Sequence, residues 1–207
     1  MTEEEIHKKE KHMKKIMSLF VVCVMAISLT ACGGGSVDKV SKQDKEITVQ
    51  IDVENYGVIT AELYPDIAPV TVANFVKLAS SGFYDGLVFH RVVPAFVIQG
   101  GGEDANGAQK QADAIKGEFA SNGFKNTLKH ARGVLSMART TDPNSASSQF
   151  FICVDDTSAK QLDGNYATFG KVTNGMDIVD KIIALKTFPG TERPEQAPVI
   201  KSIKVAN

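Results

Sequence analysis

The sequence predicts a strand-rich domain, a barrel or a sandwich, that carries two helices. Short apolar runs recur along the chain, each bounded by Gly, Pro, Asn or Asp. Only two stretches place apolar residues at helical spacing. Composition is ordinary for a globular protein, with 43% hydrophobic and 23% charged residues over 207 positions. That excludes a disordered, collagen-like or coiled-coil chain and leaves enough material for one full core.

The elements follow in order. Ile47 to Val53 alternates apolar and polar residues, the pattern of a half-buried strand. Asn55-Tyr56-Gly57 signals a turn, and Val58 to Tyr64 resumes the alternation, so the two form a hairpin candidate. Pro65 and Pro69 stop it. After Pro69, the residues Val72, Phe75, Val76 and Ala79 recur at helical spacing, with Gly82 as the stop. Leu87–Val93, Phe96–Gln99, Gly133–Met137, Gln149–Cys153 and Ala167–Val172 read as short strands. Met176, Val179, Ile182 and Ile183 predict the second helix behind Asn174-Gly175, and Val199–Val205 closes the chain as a strand. Gly101–Ala120 is the longest polar stretch and is expected to be a surface loop.

The first thirty-one residues read as an address. Ser18 to Leu29 is apolar for about twelve residues, short of the roughly 20 a spanning helix needs. Lys14-Lys15 precedes it and small residues follow, the layout of a secretory signal. Leu29-Thr30-Ala31-Cys32-Gly33 resembles a bacterial lipobox, which implies that cleavage leaves Cys32 as a lipid-modified first residue. Two acyl chains would anchor it stably where one would not. Met1-Thr-Glu-Glu-Glu is an acidic start, whereas Met13-Lys14-Lys15 would begin an ordinary signal, so either methionine can be the start. The expected division is a signal peptide over 1–31, a glycine-rich, then charged tether over 32–45, and a folded domain over 46–207. The expected place is the outer face of a bacterial cell membrane, or the periplasmic side of an envelope membrane.

Net charge is -1 and pI about 6.4, so no basic footprint points to nucleic acid. Five Lys and four Glu fall in 1–31, leaving 18 basic and 20 acidic residues. Of three cysteines, Cys23 would be removed and Cys32 modified, leaving Cys153, in the apolar run Phe150-Phe-Ile-Cys, as a small core residue. There is no GxxxxGK[ST], no GxGxxG opening a helix, no CxxC and no HExxH. Ser136, Ser147 and Ser148 lack a GxSxG setting. With His90 and His130 the only histidines after processing, a histidine-rich metal site is not expected.

One segment stands out. Phe89-His-Arg-Val-Val-Pro-Ala-Phe-Val-Ile-Gln-Gly-Gly101 sets an arginine inside an apolar strand pattern with a glutamine eight residues on. A charge there needs a carboxylate partner or a cleft. Gly133 to Ile152 reads as strand, polar loop and strand, with Gln149 and Phe151 on one face. Leu162-Asp-Gly-Asn-Tyr-Ala-Thr-Phe-Gly170 is a third piece.

These three segments, with Glu62-Leu-Tyr-Pro-Asp-Ile-Ala-Pro69 and Asn74-Phe75, resemble the cyclophilins, the peptidyl-prolyl cis-trans isomerases. The resemblance runs from about Glu46 to Val205, in the right order throughout. It implies a mainly β fold, a closed eight-stranded antiparallel barrel capped by two α-helices. It implies catalysis by Arg91, oriented by Gln99, with Phe96, Val97, Phe151 and Leu162 around the prolyl ring. Ala138, Arg139 and Gln149 match the peptide groove, and Tyr166 stands where the best-known members carry histidine. Val97 replaces a usual methionine and Gln161 a frequent tryptophan. The partners implied are proline-containing extended or unfolded polypeptides, met by a monomer at a membrane surface through the Cys32 anchor, with no cofactor and no metal. The alternative is a cyclophilin-like peptide-binding or adhesin module with little catalysis.

Overall fold

The hairpin at the start of the domain forms as its alternation requires. In the computed structural model, which describes residues 46–206, β1 (Ile47–Val53) and β2 (Gly57–Leu63) pair antiparallel from Ile47 opposite Leu63 to Val53 opposite Gly57. Val49, Ile51, Val53, Ile59, Ala61 and Leu63 face inward and are buried. The expected signal peptide over 1–31, the tether over 32–45 and the lipid-bearing Cys32 lie outside the described residues.

Helix α1 (Pro69–Ser80) begins with Pro69, whose missing N–H costs nothing in a first turn. Its next amides are satisfied from far away in sequence. Glu118 accepts from the Val70 N–H at 3.0 Å, the Thr71 N–H at 2.8 Å and the Thr71 hydroxyl at 2.7 Å. This buried carboxylate also meets the positive end of the helix. The helix buries Val72, Phe75, Leu78 and Ala79. Phe75 sits among Tyr84, Phe150 and Phe169, with ring centroids 5.2, 5.3 and 5.1 Å away.

The remaining strands are β3 (Arg91–Val93), β4 (Val97–Gly100), β5 (Val134–Met137), β6 (Phe150–Cys153), β7 (Thr168–Asn174) and β8 (Ile200–Val205). Helix α2 (Met176–Ile183) precedes β8 and packs against β2 and the β3–β4 end. Gly175, just before it, has φ +92°, and a Cβ there would lie 2.8 Å from the Val58 carbonyl oxygen. Only glycine fits that approach.

All strand pairs are antiparallel, in the order β3-β4-β6-β5-β7-β2-β1-β8. The expectation of a closed barrel is met only in part. β3 and β8 are both edges of one curled sheet and do not pair with each other. Backbone bonds from Gly86 to Ile200, Ile200 to Leu87 and Phe89 to Pro198 stitch the gap through a single bridge, Val88 opposite Val199. This is also why β3 is shorter than the apolar run Leu87–Val93. Leu87 and Val88 bridge Asp104 and Val199 instead of extending the β3–β4 ladder. Gly101–Ala120 departs from a plain surface loop, because Gly101–Glu103 and Gly117–Phe119 are buried at its two ends.

The strands of the β3-β4-β6-β5 half are two-faced. Val92, Ile98, Leu135, Met137, Phe150 and Ile152 point into the main core. Their neighbours Val97, Phe151 and Cys153 point the other way and form a second apolar cluster with Ala159, joined by Phe96, Ala138, Leu162 and Tyr166. A period of two makes this division obligatory.

Candidate active site

The site lies on that outer face. Arg91, Phe96, Val97, Gln99, Ala138, Arg139, Phe151, Leu162 and Tyr166 line one cavity of about 210 Å³. Nine of the ten residues that the sequence resemblance picks out for catalysis and peptide contact therefore meet in one place. Gln149, the tenth, lines an adjoining cavity of about 150 Å³ together with Gln99, Ala138 and Arg139.

Arg91 and Gln99 are directly opposite in the β3–β4 ladder, so their side chains share a face. The tight turn between the strands sets that register. Pro94 follows Val93, Ala95 takes φ +55°, and the Phe96 N–H returns to the Val93 carbonyl at 3.0 Å. A proline first and a positive φ second are the marks of a type II turn.

A short relay of polar groups orients the guanidinium. Arg91 Nη1 donates to Gln99 Oε1 at 3.2 Å, and Gln99 Nε2 donates to Gln149 Oε1 at 2.9 Å. Arg91 Nε donates to Glu192 Oε2 at 2.5 Å. Nη2 makes no hydrogen bond among the described residues. The arginine is therefore held along one edge while its charge stays at the rim of an apolar cavity.

Glu192 is the functional neighbour that sequence reasoning missed. It lies 101 residues from Arg91, in the segment Lys186–Glu195, where Thr187 bridges Pro194. That segment docks on β3 through the Val92 N–H and the Glu192 carbonyl, and through an ion pair between Arg193 and the mostly buried Glu103. No local pattern announces such a pairing.

Arg139 extends over the Tyr166 ring, with its guanidinium carbon 4.7 Å from the centroid. Its Nε donates to the Asn165 carbonyl at 2.9 Å. The Ala138 N–H is used by the Gln149 carbonyl at 2.9 Å. Beneath the cavity, burial, and after it the Asp163 charge, push the Cys153 thiol up to about 12. It is a packing residue and not a nucleophile.

Two histidines of the domain take up protons less readily than an ordinary imidazole. Burial lowers His130 most, opposed by Asp163; burial also lowers His90, helped by Arg193 and Arg91. Both therefore bind protons less well folded than unfolded, so their contribution to stability is complete above the ordinary value of 6.5 and is lost as pH falls below it. The melting temperature is expected to drop on acidification from pH about 7.5 to 5. A flat or rising melting curve over that range would contradict the assignment.

Fold and cleft together define a class, a curled eight-stranded antiparallel sheet with two helices and an arginine at the rim of an apolar cleft. The cyclophilin-type peptidyl-prolyl cis-trans isomerase family model matches residues 48–205. A peptidyl-prolyl cis-trans isomerase of Acinetobacter baylyi is 46% identical over 164 residues, covering 73% of this chain and 85% of that one. Peptidyl-prolyl cis-trans isomerase B of Escherichia coli is 42% identical over 162 residues, covering 73% and 96%. Among solved structures, a Cryptosporidium parvum cyclophilin in the presence of the dipeptide Ala-Pro superposes with a TM-score of 0.65 at 31% identity, covering 77% of this chain and 99% of its own. The chain belongs to the cyclophilin-type peptidyl-prolyl cis-trans isomerases and is an enzyme of that activity.

Proposed function

We propose that this isomerase turns X–Pro bonds in the 210 Å³ cavity, with Arg91 as its catalytic residue, and that it does so on exported polypeptides while anchored to a membrane by lipid on Cys32. The observation that carries the site is the guanidinium of Arg91 at the rim of a slot walled by Phe96, Val97, Phe151, Leu162 and Tyr166. The prolyl ring enters that slot. Rotation about the X–Pro bond must break amide resonance across a barrier of about 18–20 kcal/mol. As it does so, the prolyl nitrogen becomes pyramidal and its lone pair, no longer shared with the carbonyl, localises on it. A donor aimed there stabilises the twisted state over both planar states, so binding becomes rate. No bond to the enzyme forms and no proton needs to leave.

Gln99 steadies the arginine and reaches the substrate carbonyl. Ala138, Arg139 and Gln149 receive the extended chain on either side of the proline. Arginine suits the central role because it stays charged and holds its donors in a rigid fork.

Two measurements test the two halves. Exchange spectroscopy on a short X–Pro peptide should show cis–trans cross-peaks with catalytic enzyme, where the uncatalysed process takes tens to hundreds of seconds. Binding without exchange would favour the peptide-binding or adhesin module instead. For the anchor, Cys32→Ala should move the protein from the membrane to the soluble fraction; retention would remove the lipid from the account.

A further inference from the structure

The side chain of His130 is 1% exposed and takes no part in the chemistry just described, yet it contacts Phe151, Asp163 and Ser136 together. Its ring stacks on Phe151 with centroids 6.0 Å apart and planes 14° from parallel. Nδ1 lies 2.9 Å from Asp163 Oδ1, and the same oxygen accepts the His130 backbone N–H at 2.8 Å. Nε2 lies 3.0 Å from the hydroxyl of Ser136, the residue directly opposite Phe151 in the β5–β6 ladder. A carboxylate can only accept, so Nδ1 carries the proton and the Ser136 hydroxyl donates to Nε2. Asp163 itself is held below the ordinary carboxylate range. Burial pushes it up, but the His130 N–H groups and Lys129 outweigh that. Asp163 directly follows Leu162 and comes three residues before Tyr166, both of which line the slot. One buried imidazole thus joins Phe151 on β6, Ser136 on the neighbouring strand β5, and the wall segment at Asp163.

We propose that His130 is a positioning residue for the isomerase. By clamping Asp163 while stacked on Phe151, it sets the spacing between that ring and the Leu162–Tyr166 wall. This rests on the assignment of that slot to the prolyl ring. The ring occupies the slot in both planar isomers and in the twisted state, so the clamp supplies uniform binding. Its loss raises KM and leaves kcat in place. A merely structural role would do the opposite. It would lower the number of active molecules, and hence apparent kcat, with KM unmoved.

Steady-state kinetics on an Ala-Pro tetrapeptide separates these. His130→Gln and Asp163→Ala are expected to raise KM about ten-fold with kcat within about two-fold of wild type. Asp163→Asn keeps an oxygen that accepts both N–H groups and should restore KM to near wild type. An unchanged KM in folded Asp163→Ala, or a loss confined to kcat, would overturn the proposal. If His130→Gln does not fold, Asp163→Ala decides alone, since its side chain is already 23% exposed. Failure of the slot assignment itself has a different signature: a wild type without exchange, or one whose rate survives Arg91→Ala.

Discussion

An Arg91→Ala variant is expected to fold normally and to isomerise an X–Pro peptide about 100-fold or more slowly than wild type, with the loss in kcat. The size follows from what a single preorganised donor is worth where charge develops in a water-poor cleft. The innocence of the fold follows from exposure. The Arg91 side chain is 34% exposed and its partner Glu192 51%, so the ion pair between them contributes at most about 1 kcal/mol to stability. Arg91→Lys should recover only part of the rate, because an ammonium keeps the charge but not the fork that bonds Gln99 and Glu192 together. Wild-type kcat in a folded Arg91→Ala enzyme would end the mechanism.

Phe75→Ala is expected to have the largest effect on stability, about 3–5 kcal/mol, or roughly 6–20 °C in melting temperature. The ring is fully buried and stands where α1 meets the curled sheet, against Tyr84, Phe150 and Phe169. Those three rings are held by their own strands and loops and cannot collapse into the vacancy, so the cavity stays open. Phe150 points inward while Phe151 points to the slot, so KM should hold in whatever fraction remains folded. Thermal unfolding by circular dichroism reads the loss. A shift of under about 3 °C would show that the surrounding rings repack.

Much of this was legible in the residues. Alternation around Asn55-Tyr56-Gly57 is a local signal, and the expected hairpin forms there, with Ile47 opposite Leu63 and Val53 opposite Gly57. The helix after Pro69 announces itself by spacing and ends within two residues of Gly82. The run Phe150-Phe-Ile-Cys153 was legible as a strand but not as a boundary. Both of its faces are apolar, so nothing in its pattern says that two residues join the main core and two the second cluster, of which Phe151 lines the slot. Glu118 and Glu192 were illegible for another reason. Their partners lie 47 and 101 residues away, and a carboxylate carries no mark of which distant N–H it will accept. Asp163-Gly164 reads as a tight turn, and the turn is there, but the carboxylate's hold on His130 depends on a long-range contact.

The interleaving of interior and cleft along β4 and β6 constrains how this enzyme can diversify. A replacement at Val97 or Phe151 is expected to retune ligand choice and to leave the opposite surface of the same strand undisturbed. An insertion or deletion of one residue in either of these strands would exchange the two sets of side chains wholesale, burying the polar members and emptying the interior. Divergence in selectivity is therefore confined to substitution within the strands. Changes of length are left to the connections, among them the 186–195 excursion that lays Glu192 beside the guanidinium.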